Sequence, residues 1–152
     1  MKRFALAAAL VAAGWGTAAS AADKHCYSAS DIEAEQAILY QTNLMVVSSA
    51  CQDTSYATFR LHNKDAIIAY QNAMIAHFRR SGSRRPDKEF ETWITSLANQ
   101  ASRKQNGVPT ATVCQQAADL MKTASTLDAK AFHQYATAEA TKVSARYQKC
   151  GK

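Results

Sequence analysis

The sequence has little of what punctuates a β-protein. Among 152 residues there are five glycines and two prolines. No window sustains the period-two alternation of β-branched residues that marks a strand, so no strand is expected. No apolar run reaches the roughly twenty residues that a membrane-spanning helix needs. There is no C-x-x-C pair, no C-x-x-C-H and no His-x-x-x-His, which removes the common zinc and covalent-haem signatures. No serine is held in a strained turn between glycines, as an activated nucleophile would require. With a length of 152 residues and an ordinary charged fraction of 20%, these features argue against a collagen, a disordered chain, a multidomain enzyme and an integral membrane protein, and they leave catalysis without a supporting constellation.

What is present begins with a leader. Lys2 and Arg3 precede FALAAALVAAGWG, and small residues follow at Ala19, Ser20, Ala21 and Ala22. A charged start, a short apolar run and an A-x-A-like site predict a secretory signal peptide over residues 1–22. The remaining residues, 23–152, form one helical domain. The start carries no tandem arginines, which favours the general secretory route over the twin-arginine one. The whole chain carries +6 with histidines neutral, and losing Lys2 and Arg3 leaves 16 basic against 12 acidic residues, or +4. A basic exported protein is drawn to anionic surfaces. The expected location is periplasmic or secreted and the expected partner a protein or an anionic envelope component. The leader argues against nucleic acid.

The residues after the leader read as helix almost throughout. Gly82 with Pro86, and Gly107 with Pro109, mark two breaks. A first helix is expected from Ser30, with S-D-I-E as a capping box closed by Glu33, to Ala50 or Cys51. Ile32, Gln36, Leu39 and Asn43 would form its seam, with Ile38, Met45 and Val46 widening the apolar side. A second helix, about Tyr56 to Arg80, repeats Phe59, Asn63, Ile67, Tyr70, Met74 and Phe78 at helical spacing. A third, from Pro86 or Asp87 to Lys104, carries Phe90, Ile94, Leu97 and Ala101. A fourth, Ala111 to Ala124, presents Val113, Ala117, Leu120 and Met121. Leu127-Asp128 reads as a hinge with Asp128 as cap, followed by a last segment from Ala129 to Lys149 with Phe132, Ala136, Val143 and Tyr147; a kink there and one long continuous helix are both open. Short loops favour antiparallel neighbours. The expected fold is therefore all-α, an up-down helical bundle of four to five helices, stapled by disulfides.

All four cysteines, Cys26, Cys51, Cys114 and Cys150, follow the leader. An even number in an exported chain predicts two disulfides. Four cysteines allow three connectivities. The up-down order brings the end of helix one and the start of helix four together, which favours Cys51–Cys114 and leaves Cys26–Cys150 to tie the termini.

Three segments in order, QTNLMVVSSAC (Gln41 to Cys51), SLANQAS (Ser96 to Ser102) and Val113-Cys114, resemble an uncharacterised family of small exported helical proteins from alphaproteobacteria. The similarity spans roughly residues 36 to 121. It implies a helical fold, agrees with the Cys51–Cys114 pairing, and supplies neither an activity nor site residues. The C-terminal helix, Cys26 and Cys150 lie outside the pattern.

The densest charge lies in RRSGSRRP, where Arg79, Arg80, Arg84 and Arg85 surround a turn, with Lys88 just beyond. Guanidiniums fork onto phosphates and carboxylates, although dense charge in a loop also serves solubility alone. These four arginines are the candidate partner-binding residues of a non-enzymatic binding protein. The alternative is a haem- or copper-carrying bundle using Met74 and His77, three apart on one helix, with His62, Met45, Met121 and His133. Met74 also belongs to an apolar stripe, where a core role is simpler. The reading assigns no metal site, no cofactor and no catalytic residues. Glu33/Glu35 and Glu89/Glu91 are expected to complement helix dipoles. Trp93 reads as an anchor beside the third helix's stripe.

Overall fold

The computed structural model describes residues 25–151; the expected signal peptide lies outside them. Among the described residues five helices, α1 (Ala29–Ala50), α2 (Ser55–Arg80), α3 (Pro86–Arg103), α4 (Thr110–Thr126) and α5 (Ala129–Val143), form a disulfide-stapled all-α bundle. Their order and breaks match the sequence reading. Gly82 and Gly107 both take positive φ, 94° and 78°, where L side chains are strained. Asp128 caps α5 by accepting from the Ala131 amide at 2.8 Å.

α1 is the central element and packs against all four other helices. α3 and α4, although consecutive, pack against α1 and α2 rather than against one another. Two cores result. On one side Ala37, Tyr40 and Leu44 of α1 meet Phe59 and Ile67 of α2, Ala124 of α4, and Phe132 and Ala136 of α5. On the other, Ala34 and Ile38 of α1 meet Met74 of α2 and Phe90 of α3. Alanines at the contacts let backbones approach while the aromatics fill the space between them. Phe59 and Phe132 meet edge to face at 4.9 Å between ring centres.

This central position corrects the expected seam of α1. Gln36 and Leu39 are only partly buried and Asn43 is exposed, whereas Ala34, Ala37, Tyr40, Leu44 and Val47 are buried. A helix covered on several sides has no single seam, and its most apolar stripe does not single out one neighbour. The cap also moves: Ser28, not Ser30, accepts from the Asp31 amide, and Asp31 closes the box by accepting from the Ser28 amide. Ser28 succeeds because Asp31, three residues on, is itself anchored from α2.

The last helix ends at Val143, not Lys149. Residues 144–146 tighten into a 3-10 turn, and the chain then runs extended beside Tyr27 in an isolated parallel bridge, Tyr27 to Lys149. The Tyr27 amide donates to the Gln148 carbonyl at 2.8 Å, and the Cys150 amide to the Tyr27 carbonyl at 3.1 Å. An extended tail lets Cys150 reach Cys26. The disulfides are Cys26–Cys150 and Cys51–Cys114, with Cα separations of 4.7 and 5.6 Å.

Candidate functional site

The α2–α3 turn is built by its own backbone. Beyond Arg80, the Gly82 amide donates to the Arg79 carbonyl and the Ser83 amide to that of Phe78, at 3.1 and 3.0 Å. The Arg85 amide donates to Ser83 Oγ at 3.2 Å, and Pro86 opens α3 at its first position. This turn sends the four arginines in different directions. Arg84 and Arg85, with Lys88, line an open groove of about 600 Å³ whose apolar wall is Phe78 and Trp93. Those two rings stand 5.9 Å apart, nearly perpendicular. Among the described residues, none of the three cations has a carboxylate at ion-pair distance. Glu89 also lines the groove and offsets part of the charge. Arg79 is exposed but does not line it.

Arg80 is engaged internally. Its guanidinium donates to Asp31 Oδ1, and Asp31 Oδ2 lies 3.4 Å from His77 Nδ1. Asp31 and His77 are 2% and 4% exposed, so this is a buried anchor between the start of α1 and the end of α2. Burial alone would raise the Asp31 carboxyl, but the Arg80 and Ser28 hydrogen bonds outweigh it and hold it below the ordinary carboxylate value. The Tyr27 ring packs over the imidazole at 4.2 Å. The buried His77 cluster was not anticipated; the signal available was His77 and Arg80 on one face of α2, with S-x-x-D opening α1.

The acid pair of α1 is structural as well, rather than dipole-complementing. Glu33 accepts from Tyr70 Oη at 2.9 Å and Thr137 Oγ1 at 3.1 Å, and lies 2.8 Å from His133 Nδ1. Glu35 accepts from Tyr147 Oη at 3.0 Å, while its Oε2 is buried without a hydrogen-bond partner among the described residues. Burial pushes the Glu35 carboxyl up, against the opposing pull of the Tyr147 and Tyr27 hydroxyls. The Tyr70 and Tyr147 phenols are raised, first by burial and then by these same carboxylates.

The methionine and histidine set is dispersed. Met74 is fully enclosed in the α1–α2–α3 core and Met121 packs on the other core. His77 faces Asp31, His133 faces Glu33, and His62 is exposed. Among the described residues no group of three His, Cys, Asp or Glu side chains is placed to hold a metal ion. Asn99 and Gln100 are both exposed, and the Gln100 amide contacts Ser96 within α3 at 3.4 Å.

Comparison with protein-family models, curated proteins and solved structures finds no significant match to this chain.

Proposed function

We propose that this chain is a non-enzymatic binding protein of the bacterial envelope, exported to the periplasm or beyond, that engages an anionic partner through the groove at the α2–α3 turn. The observation that carries the reading is the grouping of Arg84, Arg85 and Lys88 against Phe78 and Trp93, with none of the three cations neutralised by a carboxylate among the described residues. Guanidiniums beside an aromatic edge suit a phosphate or carboxylate carried on an apolar body. Two disulfides fit an oxidising compartment, and no helix among the described residues is long and apolar enough to cross a membrane. Kinship with the alphaproteobacterial family is part of the proposal. In its support, Met45, Val46 and Ser49 of the first motif segment line one hollow with Ala98 and Ser102 of the second. Cys51, which ends the first, is bonded to Cys114 of the third.

Co-sedimentation with phosphatidylglycerol vesicles, with phosphatidylcholine vesicles as control, tests the reading. Binding to the anionic vesicles that weakens as salt is raised is expected. The triple variant Arg84→Ser, Arg85→Ser, Lys88→Ser, all exposed positions, should lose most of it while keeping the wild-type helical circular-dichroism spectrum. Equal binding by the triple variant, or equal binding to both vesicle types, overturns the groove as the site.

A further inference from the structure

The outer side of α2 carries a second stripe beside the one that enters the core. Ala57, Leu61, Lys64, Ile68 and Gln71 recur at spacings of four, three, four and three, the alternation with which one helix meets another. The first four are exposed, and all five line an open groove of about 740 Å³ with Met45 of α1 and Ile94 of α3. At about 1.5 Å per residue, the stretch from Ala57 to Gln71 spans roughly 21 Å, or four helical turns. Leu61 and Ile68 are 82% and 43% exposed, the two most exposed large apolar side chains among the described residues. Single exposed apolar residues are ordinary, but two that line one groove with further apolar neighbours mark an interaction surface. Lys64 falls between them in the stripe, and Arg60 precedes it by one turn, its guanidinium 5.8 Å over the Tyr56 ring. Neither cation has a carboxylate at ion-pair distance among the described residues, and no acidic residue lines the groove. This groove shares no lining residue with the one at the α2–α3 turn.

We propose that this groove docks an amphipathic helix of an acidic partner protein. The alternating three- and four-residue spacing suits the apolar anchors of a helix laid alongside, as in helix-in-groove recognition. Carboxylates one turn apart on that helix would answer Arg60 and Lys64. A second copy of this face would bring the same two cations to the contact and no acid to meet them. A lipid surface would meet Leu61 and the cations equally well, but it makes no use of a heptad spacing held over four turns.

The test is titration of the full mature chain with a four-turn peptide bearing leucine at heptad positions a and d and glutamate at e and g. A lactam bridge on its outer face holds it helical, since so short a helix is marginal alone. Its counterparts carry lysine at e and g, or the acidic composition in scrambled order. The readout is the NMR shifts of the Met45, Leu61, Ile68 and Ile94 methyls. The acidic helix should move all four, and its affinity should fall as salt is raised. Both counterparts should bind more weakly. Leu61→Ser with Ile68→Ser should cost about tenfold or more, the worth of one apolar anchor, and keep the helical circular-dichroism spectrum. Arg60→Glu with Lys64→Glu should reverse the preference from the glutamate to the lysine peptide, which general damage to the fold cannot do. Equal binding of the helical and scrambled acidic peptides overturns the proposal, as does an unreversed preference in the charge variant. Absent methyl shifts, or shifts confined to the Arg84–Ser96 groove, overturn it too. Concentration-dependent shifts of these methyls in the free protein, with a doubled mass in light scattering, would replace the partner with a second copy. Burial of Leu61 and Ile68 on phosphatidylglycerol vesicles, with no response to any peptide, would replace it with a membrane.

Discussion

Asp31 and Glu35 sit one helical turn apart on α1, and burial acts on both, yet their carboxyls move in opposite directions. Asp31 has charged and hydrogen-bonded partners that outweigh burial and depress its value; for Glu35 burial wins. The consequences for stability are opposite in sign. A depressed carboxyl contributes stability that is present above the unfolded value, near 4, and lost as pH falls through the native one. A raised carboxyl favours the folded state below the unfolded value, and that contribution is lost as pH rises through the native one. At neutral pH, Asp31→Asn should therefore be less stable than wild type by about 1–2 kcal/mol, from the weakened cap and the loss of the charged Arg80 partner. The gap should close on acidification below about pH 4. Glu35→Gln should be more stable than wild type at pH 7 and indistinguishable from it at low pH. Denaturant unfolding of the three proteins as a function of pH checks both signs.

At the scale of elements, α2 depends on one buried amide. Asn63 falls on the apolar stripe between Phe59 and Ile67 but has non-helical dihedrals, φ −119° and ψ 16°, and marks a kink. Its Nδ2 donates to the Phe59 carbonyl at 2.9 Å and to the Leu127 carbonyl at 2.8 Å. The kink in α2 is thus tied to the hinge between α4 and α5, so an amide joins three helices where an aliphatic residue would join none. Asn63→Ala should leave the Leu127 carbonyl unpaired and lower stability by about 1–3 kcal/mol. Faster amide exchange around residues 124–132 would show that the loss is transmitted across the contact; uniform destabilisation would not. Sequence periodicity placed Asn63 on the buried side correctly. It could not supply the reason, because the partner is 64 positions away.

For the molecule as a whole, the two disulfides close loops of different length, 124 and 63 residues in separation. In the chain-entropy account the longer loop contributes about 5 kcal/mol and the shorter about 4. Their local effects differ more than these totals. Cys51–Cys114 joins the end of α1 to α4 beside the two-sided core, whereas Cys26–Cys150 holds an extended tail against Tyr27, which in turn covers His77. Replacing Cys26 and Cys150 by Ser should lower the midpoint of the whole bundle as well, and in addition raise hydrogen exchange over residues 144–150 ahead of α2 and α4. Replacing Cys51 and Cys114 should lower the unfolding midpoint of the entire bundle. The reverse pattern would show that the tail, not the α1–α4 staple, supports the core.

The helices and their two glycine-proline breaks were determined by the sequence itself, because each depends on neighbours within a few residues; Asp128 was visible as a cap, but that the chain breaks there was decided by the structure. Disulfide chemistry was legible too, from an even number of cysteines without close pairs, and the up-down order narrowed their pairing. The arginine cluster was visible as a composition, but its division was not. Only the tertiary structure paired Arg80 with the buried Asp31 and left Arg84 and Arg85 on a groove with Trp93. The same holds for the cap at Ser28 and the early end of α5. Each is decided by a contact between residues far apart in the chain, and hydrophobic periodicity carries no information about such partners.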